Sequence, residues 1–220
     1  MKKPIKYLVN IAVRPLVKRY LSKTRIYRHG DISLAIPTQV FHPGFFFSTR
    51  FLLQYIKTLD VKNKTFLELG AGSGLIAFSA ARRGAVVTAT DINPVSVEYL
   101  RKNGQTNDIP VRVLLSDLFN DIPKEEFDII AINPPYYKKT PATHAEYAWY
   151  CGENGEYFSR LFAGLDNYTH ADSTILMVLC DECDIAMIRN IAANHGYDMQ
   201  IVKTISRFSE INYIFSIRRI

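Results

Sequence analysis

Acid is missing from the first thirty residues of this 220-residue chain, where nine Lys or Arg stand with no Asp or Glu. The other residues carry eighteen bases and twenty-one acids, so the excess behind the net charge of +6 belongs wholly to the N-terminal arm. Cysteine is scarce. Three residues, Cys151, Cys180 and Cys183, are too few for a disulfide framework, and an odd count argues for free thiols. Cys180 and Cys183 have CxxC spacing without a second pair. His170 and His195 are the only nearby candidates to complete a set of about four zinc ligands, so no metal is expected. A redox CxxC opens a helix after an early strand, whereas this pair falls late, and it reads as two small buried side chains at a strand end. No apolar run is long enough to make a membrane span. The start, Met1 to Lys6, has a signal-like basic flank, but Arg14, Lys18 and Arg19 interrupt the apolar stretch and no small-residue cleavage site follows. A cytoplasmic location is the expectation.

What is present is an ordinary globular composition, 48% apolar and 22% charged, in a length that suits one α/β domain. Ile5, Leu8, Val9, Ala12, Val13, Leu16, Val17 and Tyr20 recur at helical spacing, with Lys2, Lys6, Arg14 and Lys18 outside and Pro15 as a kink. Such a basic amphipathic helix can pack on the domain, touch a membrane surface, or meet RNA or the ribosome. Arg25 to Ile36 alternates as a hairpin turning at His29-Gly30-Asp31. Residues 1–40 are therefore read as a helix-plus-hairpin extension and 41–220 as the main domain. Ser48-Thr49 precedes an apolar periodic run and reads as a helix N-cap. Strands are expected at Thr65–Leu69, Val86–Asp91, Val111–Leu115, Phe127–Asn133, Thr174–Leu179, Met199–Ile205 and Tyr213–Ile217, with helices between them. Alternation of this kind implies a seven-stranded, mostly parallel sheet with helices on both faces, and a short antiparallel connection at the end.

Glu68-Leu69-Gly70-Ala71-Gly72-Ser73-Gly74 joins the first of these strands to its helix. Glycines there let a backbone approach a ligand, although a tight strand–helix turn would need them too. Residues 72–77 also satisfy the relaxed GxGxxA pattern of dinucleotide enzymes. Asp91 ends the next strand, where a carboxylate can hold a ribose diol in NAD or S-adenosylmethionine alike. Glu68 breaks the tie, because an acid beside the glycines repels a diphosphate and suits a sulfonium with an amino-acid tail. Asp117 adds a third acid on the same edge, placed for an adenine amino group. Gly70, Ala71, Gly72, Gly74, Ile92 and Leu118 complete the expected cofactor wall.

Asn133-Pro134-Pro135-Tyr136 closes the fourth strand and is the most specific signal in the chain. A planar amide-like NH2 has a delocalised lone pair and is a poor nucleophile. The Asn133 Oδ1 and the Pro134 carbonyl can accept its two hydrogens and favour a pyramidal nitrogen, with its lone pair aimed at a methyl sulfonium. The prolines fix those acceptors beforehand, and Tyr136 offers an aromatic face to a flat group and to developing positive charge. Considered alone, Asn-Pro-Pro can be merely a turn after a strand. Following Glu68, the glycines, Asp91 and Asp117 in order, it points to an S-adenosylmethionine-dependent N-methyltransferase that releases S-adenosylhomocysteine.

With these residues in hand, 40–220 resemble the HemK-type, N5-glutamine methyltransferases, closest to the short archaeal and eukaryotic form. Asp91-Ile92-Asn93-Pro94 and Asn133–Tyr136 match in order, and Ala148–Gly155 resembles the Ala-Trp and Asn-Gly segment of that family. Phe41-His42-Pro43 and Ser48-Thr49 resemble the upstream segment that closes over the cofactor, which places Thr49 in the binding site. The resemblance implies methylation of a glutamine side chain, in that family the Gly-Gly-Gln loop of release factors, and a small zinc-binding partner protein for the short form. Two departures are Cys151 in place of a glycine and Phe45-Phe46-Phe47 where a carboxylate is usual. The same motif resembles that of adenine-N6 methyltransferases of RNA or DNA, a reading the basic arm also fits. A non-catalytic RNA- or ribosome-binding protein of this fold comes next, and a nicotinamide dehydrogenase last.

Overall fold

The computed structural model describes residues 22–45, 47–207 and 210–220. The expected amphipathic helix of residues 5–21 lies outside them. The hairpin is present as β1 (Arg25–His29) and β2 (Ile32–Ile36), antiparallel about a two-residue turn in which Gly30 takes φ 60°. Its inner face buries Ile32, Leu34 and Ile36. Its backbone is tied to α3 (Pro94–Asn107) through Asn103, which bonds Ala35, and Asn107, which bonds Ser33. The hairpin is thus part of the domain's packing.

Seven further strands form one sheet: β3 (Thr65–Leu69), β4 (Val86–Asp91), β5 (Arg112–Leu115), β6 (Ile129–Ile132), β7 (Thr174–Cys180), β8 (Tyr197–Arg207) and β9 (Glu210–Arg219). Their order is β5-β4-β3-β6-β7-β9-β8, and β9 alone runs against the rest. The expected α/β sheet is therefore observed, with the last strand inserted between β7 and β8. Alternate residues face two apolar clusters, as strand geometry requires. Phe66, Ile129, Ala131, Leu176 and Val178 meet α1 (Phe47–Ile56), α2 (Leu75–Ala81) and α3. Leu67, Leu69, Ile130, Ile132 and Met177 meet α4 (Glu156–Gly164) and α5 (Ile185–Asn194).

The chain runs outward from β3 through β4 to β5, then returns to the other side of β3 as β6. Ligands of open α/β sheets sit at the carboxyl ends beside such a reversal. Register fixes what meets there. Leu69 pairs with both Thr90 and Ile132, and Asp91 pairs with Leu115. Gly70, Asp91, Ser116 and Asn133 consequently emerge along one edge. At the opposite end of the sheet Asp128 holds β3 against β6, accepting bonds from the Thr65 N–H at 2.8 Å and the Thr65 hydroxyl at 2.9 Å.

Candidate active site

A cleft opens at this edge, and it contains every expected cofactor and catalytic residue except Gly74. Gly74 takes φ 80° at the start of α2, and a Cβ there would sit 2.5 Å from Leu100 and Phe78. Its role is packing of the turn rather than lining. Gly70 and Gly72 also lie in the left-handed region, and a Cβ on Gly70 would meet nothing within 4 Å. The cleft side of that turn is open backbone.

The three acids have different surroundings. Glu68 is 5% exposed, and its Oε2 accepts the Ala77 N–H of α2 at 2.7 Å. Burial pushes its pKa up to about 8, assisted by repulsion from Asp91 and opposed by the Ala77 bond. Asp91 accepts the Gly72 N–H and the Asn93 N–H, both at 2.8 Å. Burial raises its pKa, and those bonds and one from Ser96 pull the other way. Asp91 therefore holds the glycine turn as well as facing the cleft. Asp117 is half-exposed and paired with Arg160, Nη2 to Oδ2 being 2.7 Å. Two buried acids and a half-exposed third thus line one edge of the cleft. Leu118 follows with φ 53°, a strained conformation for a branched side chain. The Ser116 hydroxyl donates to its carbonyl at 2.8 Å and holds it there.

Asn133 is oriented by a contact that local sequence does not reveal. Its Nδ2 donates to Thr49 Oγ1 at 3.0 Å. That bond spends the amide's donor end on α1 and leaves Oδ1 as the acceptor. The expected capping role of Ser48-Thr49 is corrected by the same observation. The helix already begins at Phe47, and Thr49 is buried and turned to Asn133 instead of the helix end.

Tyr136 and Tyr137 are pinned from outside the sheet. Both backbone N–H groups donate to the Trp149 carbonyl, at 3.2 and 2.9 Å, and the Cys151 N–H returns a bond to the Tyr137 carbonyl. The Tyr136 hydroxyl is bonded to Cys180, and burial keeps it a phenol with its pKa raised. Cys180 and Cys183 are free and buried, as expected, with their sulfurs 3.7 Å apart. The Cys183 hydrogen bond draws the Cys180 thiol down to about 7, against the effect of burial. Among the described residues no group of three or more His, Cys, Asp or Glu is arranged to hold a metal.

Sequence reasoning missed several wall residues. His144, Tyr147 and Tyr157 line the cleft without belonging to a motif, and Phe41 packs on Trp149 with ring centroids 5.2 Å apart. Tyr157 sits on α4, where apolar periodicity makes it look like core; burial raises its pKa to well above the ordinary phenol, with Asp117 and Asp91 adding to the shift.

Several known proteins are similar to this chain. A protein of Methanocaldococcus jannaschii, provisionally assigned as a protein N5-glutamine methyltransferase, is 34% identical over 134 residues, covering 58% of this chain and 68% of that protein. Two solved structures share the fold. The T. thermophilus 16S rRNA N2 G1207 methyltransferase in complex with AdoMet and guanosine superposes with TM-score 0.67 at 19% identity, over 90% of this chain and half of that one. The E. cuniculi Mtq2–Trm112 complex, which methylates the eRF1 termination factor, superposes with TM-score 0.64 at 22% identity, over 83% and 99%. Residues 39–150 match the methyltransferase small domain, and the chain belongs to that family of S-adenosylmethionine-dependent N-methyltransferases.

Proposed function

We propose that the acceptor is a protein glutamine side chain, of the kind presented by a translation termination factor. The observation that carries this reading is the Asn133–Thr49 bond, which leaves Asn133 Oδ1 as a fixed acceptor at the end of β6. The similarity to the Methanocaldococcus jannaschii protein supports an amide acceptor. Two corollaries belong to the proposal: a partner subunit, as in the Mtq2–Trm112 complex, and work in the cytoplasm.

S-adenosylmethionine supplies the methyl group on an electrophilic sulfonium. Glu68 and Asp91 hold its charged tail and ribose, and Asp117 receives the adenine amino group. Gly70, Ala71, Gly72, Ile92 and Leu118 bring backbone and apolar side chains against it. Asn133 Oδ1 and the Pro134 carbonyl accept the two amide hydrogens of glutamine, which favours a pyramidal nitrogen and frees its lone pair. Pro134 and Pro135 keep these acceptors in place, so little reorganisation remains at the moment of transfer. Tyr136 stays neutral and gives its ring face to the developing positive charge. A strong base is unnecessary, because the proton is acidic once the nitrogen carries the methyl group. Alignment of nitrogen and methyl provides much of the rate.

Asn133→Ala tests this. Cofactor affinity should change less than about twofold, whereas turnover should fall by at least about a hundredfold, the scale of one lost preorganised polar group. Loss of cofactor binding with normal turnover at saturation would overturn the assignment. A second reading, transfer to an exocyclic amine of a nucleic-acid base, is favoured by one observation: Phe41, Tyr147 and Trp149 give the cleft mouth flat aromatic faces. Methylation of an adenine-containing oligonucleotide but of no glutamine peptide would select it.

A further inference from the structure

Residues 1–59 contain eleven Lys or Arg and one acid, Asp31. Arg82 lies 2.8 Å from that acid and neutralises it. The other residues hold sixteen bases and twenty acids. The chain is therefore divided into a strongly cationic segment and a mildly anionic domain, and the described part of the cationic segment makes one connected surface. Arg50 and Gln54 on α1 and Lys57 just beyond its end recur at helical spacing, with Gln54 and Lys57 exposed. Lys57 Nζ meets His29 Nε2 of β1 at 3.0 Å. Burial, then Lys57, then Arg50 hold His29 below its ordinary value, so the imidazole is neutral at pH 7 in a positive field. Arg50 and the β8 residue Arg207 flank the Phe47 ring, 5.9 and 4.9 Å from its centroid. None of Lys23, Arg28, Arg50 and Lys57 has a carboxylate partner among the described residues. Glu210 stands opposite Arg207 in the β8–β9 pairing, and it accepts a bond from Asn212 at 2.8 Å. The ridge reaches the cleft, because Ser48 and Thr49 line it immediately before Arg50.

We propose that this face binds RNA: β1 and the outer side of α1 contact the phosphates of an unpaired strand that leads past Phe47 to the cleft mouth. Like charges gathered within a Debye length repel one another, and a polyanion relieves that repulsion while releasing its condensed counterions. An anionic membrane would meet the same charge. A phenyl ring flanked by two guanidinium groups beside a cleft suits stacked bases better than a lipid surface, where apolar insertion supplies the affinity. The inference stands apart from the choice of methylated nitrogen, since an enzyme for a ribosome-bound protein and one for a base would both gain from it.

The test uses the full chain and a labelled single-stranded RNA of about twenty nucleotides, titrated by fluorescence anisotropy at several salt concentrations. Each neutralised phosphate adds about 0.7 to the slope of log affinity against log salt, so Arg28→Gln with Lys57→Gln should reduce that slope by about 1.4. Affinity near 0.1 M salt should fall about tenfold in the double variant, with S-adenosylmethionine binding unchanged as proof of folding. The proposal is overturned if a protein competent for the cofactor shows no salt-dependent RNA binding, or if the double variant binds RNA as the parent does. It is overturned equally if the chain sediments with phosphatidylserine-containing vesicles and leaves RNA free.

Discussion

Lowering the pH from 8 to 6 should weaken cofactor binding by up to about a hundredfold through one side chain, Glu68. In the free protein its pKa stands near 8 because burial penalises the charged form. The cationic cofactor needs the ionised carboxylate. Below pH 8 each unit leaves about tenfold less of it, which costs about 1.4 kcal/mol of binding per unit. Binding therefore releases a proton, and affinity rises with pH until it levels above the Glu68 value. The sign for folding is the reverse. A carboxyl raised from 4.5 to about 8 stabilises the free protein fully below 4.5, and that contribution is lost as pH climbs through 8. Titration calorimetry between pH 6 and 8, in buffers of different ionisation enthalpy, measures both the affinity slope and the proton released. Glu68→Gln should bind weakly and show no slope. A flat profile in the parent chain, or the same slope in Glu68→Gln, would refute the reasoning.

Thr49→Val should let the Asn133 amide rotate, lowering kcat about tenfold with little change in cofactor affinity, as read from steady-state kinetics beside equilibrium binding. Gly74→Ala places a methyl 2.5 Å from Leu100 and Phe78 at φ 80°, and should lower thermal stability by about 3 kcal/mol without removing a cofactor contact. Arg160→Ala removes the partner that fixes Asp117. It should reduce affinity for S-adenosylmethionine a few-fold but leave affinity for an analogue with the adenine amino group deleted unaltered; an equal loss for both ligands would place Arg160 outside adenine recognition.

The strands that carry the site were legible because their residues alternate between two buried clusters or run apolar throughout, as Ile129 to Ile132 do. Glu68, Asp91, Asp117 and Asn133 were legible as cleft residues for a related reason, since each sits at or just past the end of a strand on the same edge. The Thr49 contact was not, because capping propensity is local whereas its partner is 84 positions away. Gly74 looked like a ligand contact because its motif does not say which face of the turn is crowded. The insertion of β9 between β7 and β8 follows from tertiary pairing, which also carries β8 from Tyr197 to Arg207, past the apolar alternation. Tyr157 was hidden by resembling the core residues beside it on α4.

The central claim is that Asn133, Pro134 and Tyr136 present an amide nitrogen to the methyl donor. The most direct test is to incubate the chain and radiolabelled S-adenosylmethionine with cell extract, then to hydrolyse the labelled product and identify the methylated unit. Label that survives nuclease and yields N5-methylglutamine is the predicted result. Label lost to nuclease and recovered as a methylated base would contradict the glutamine assignment.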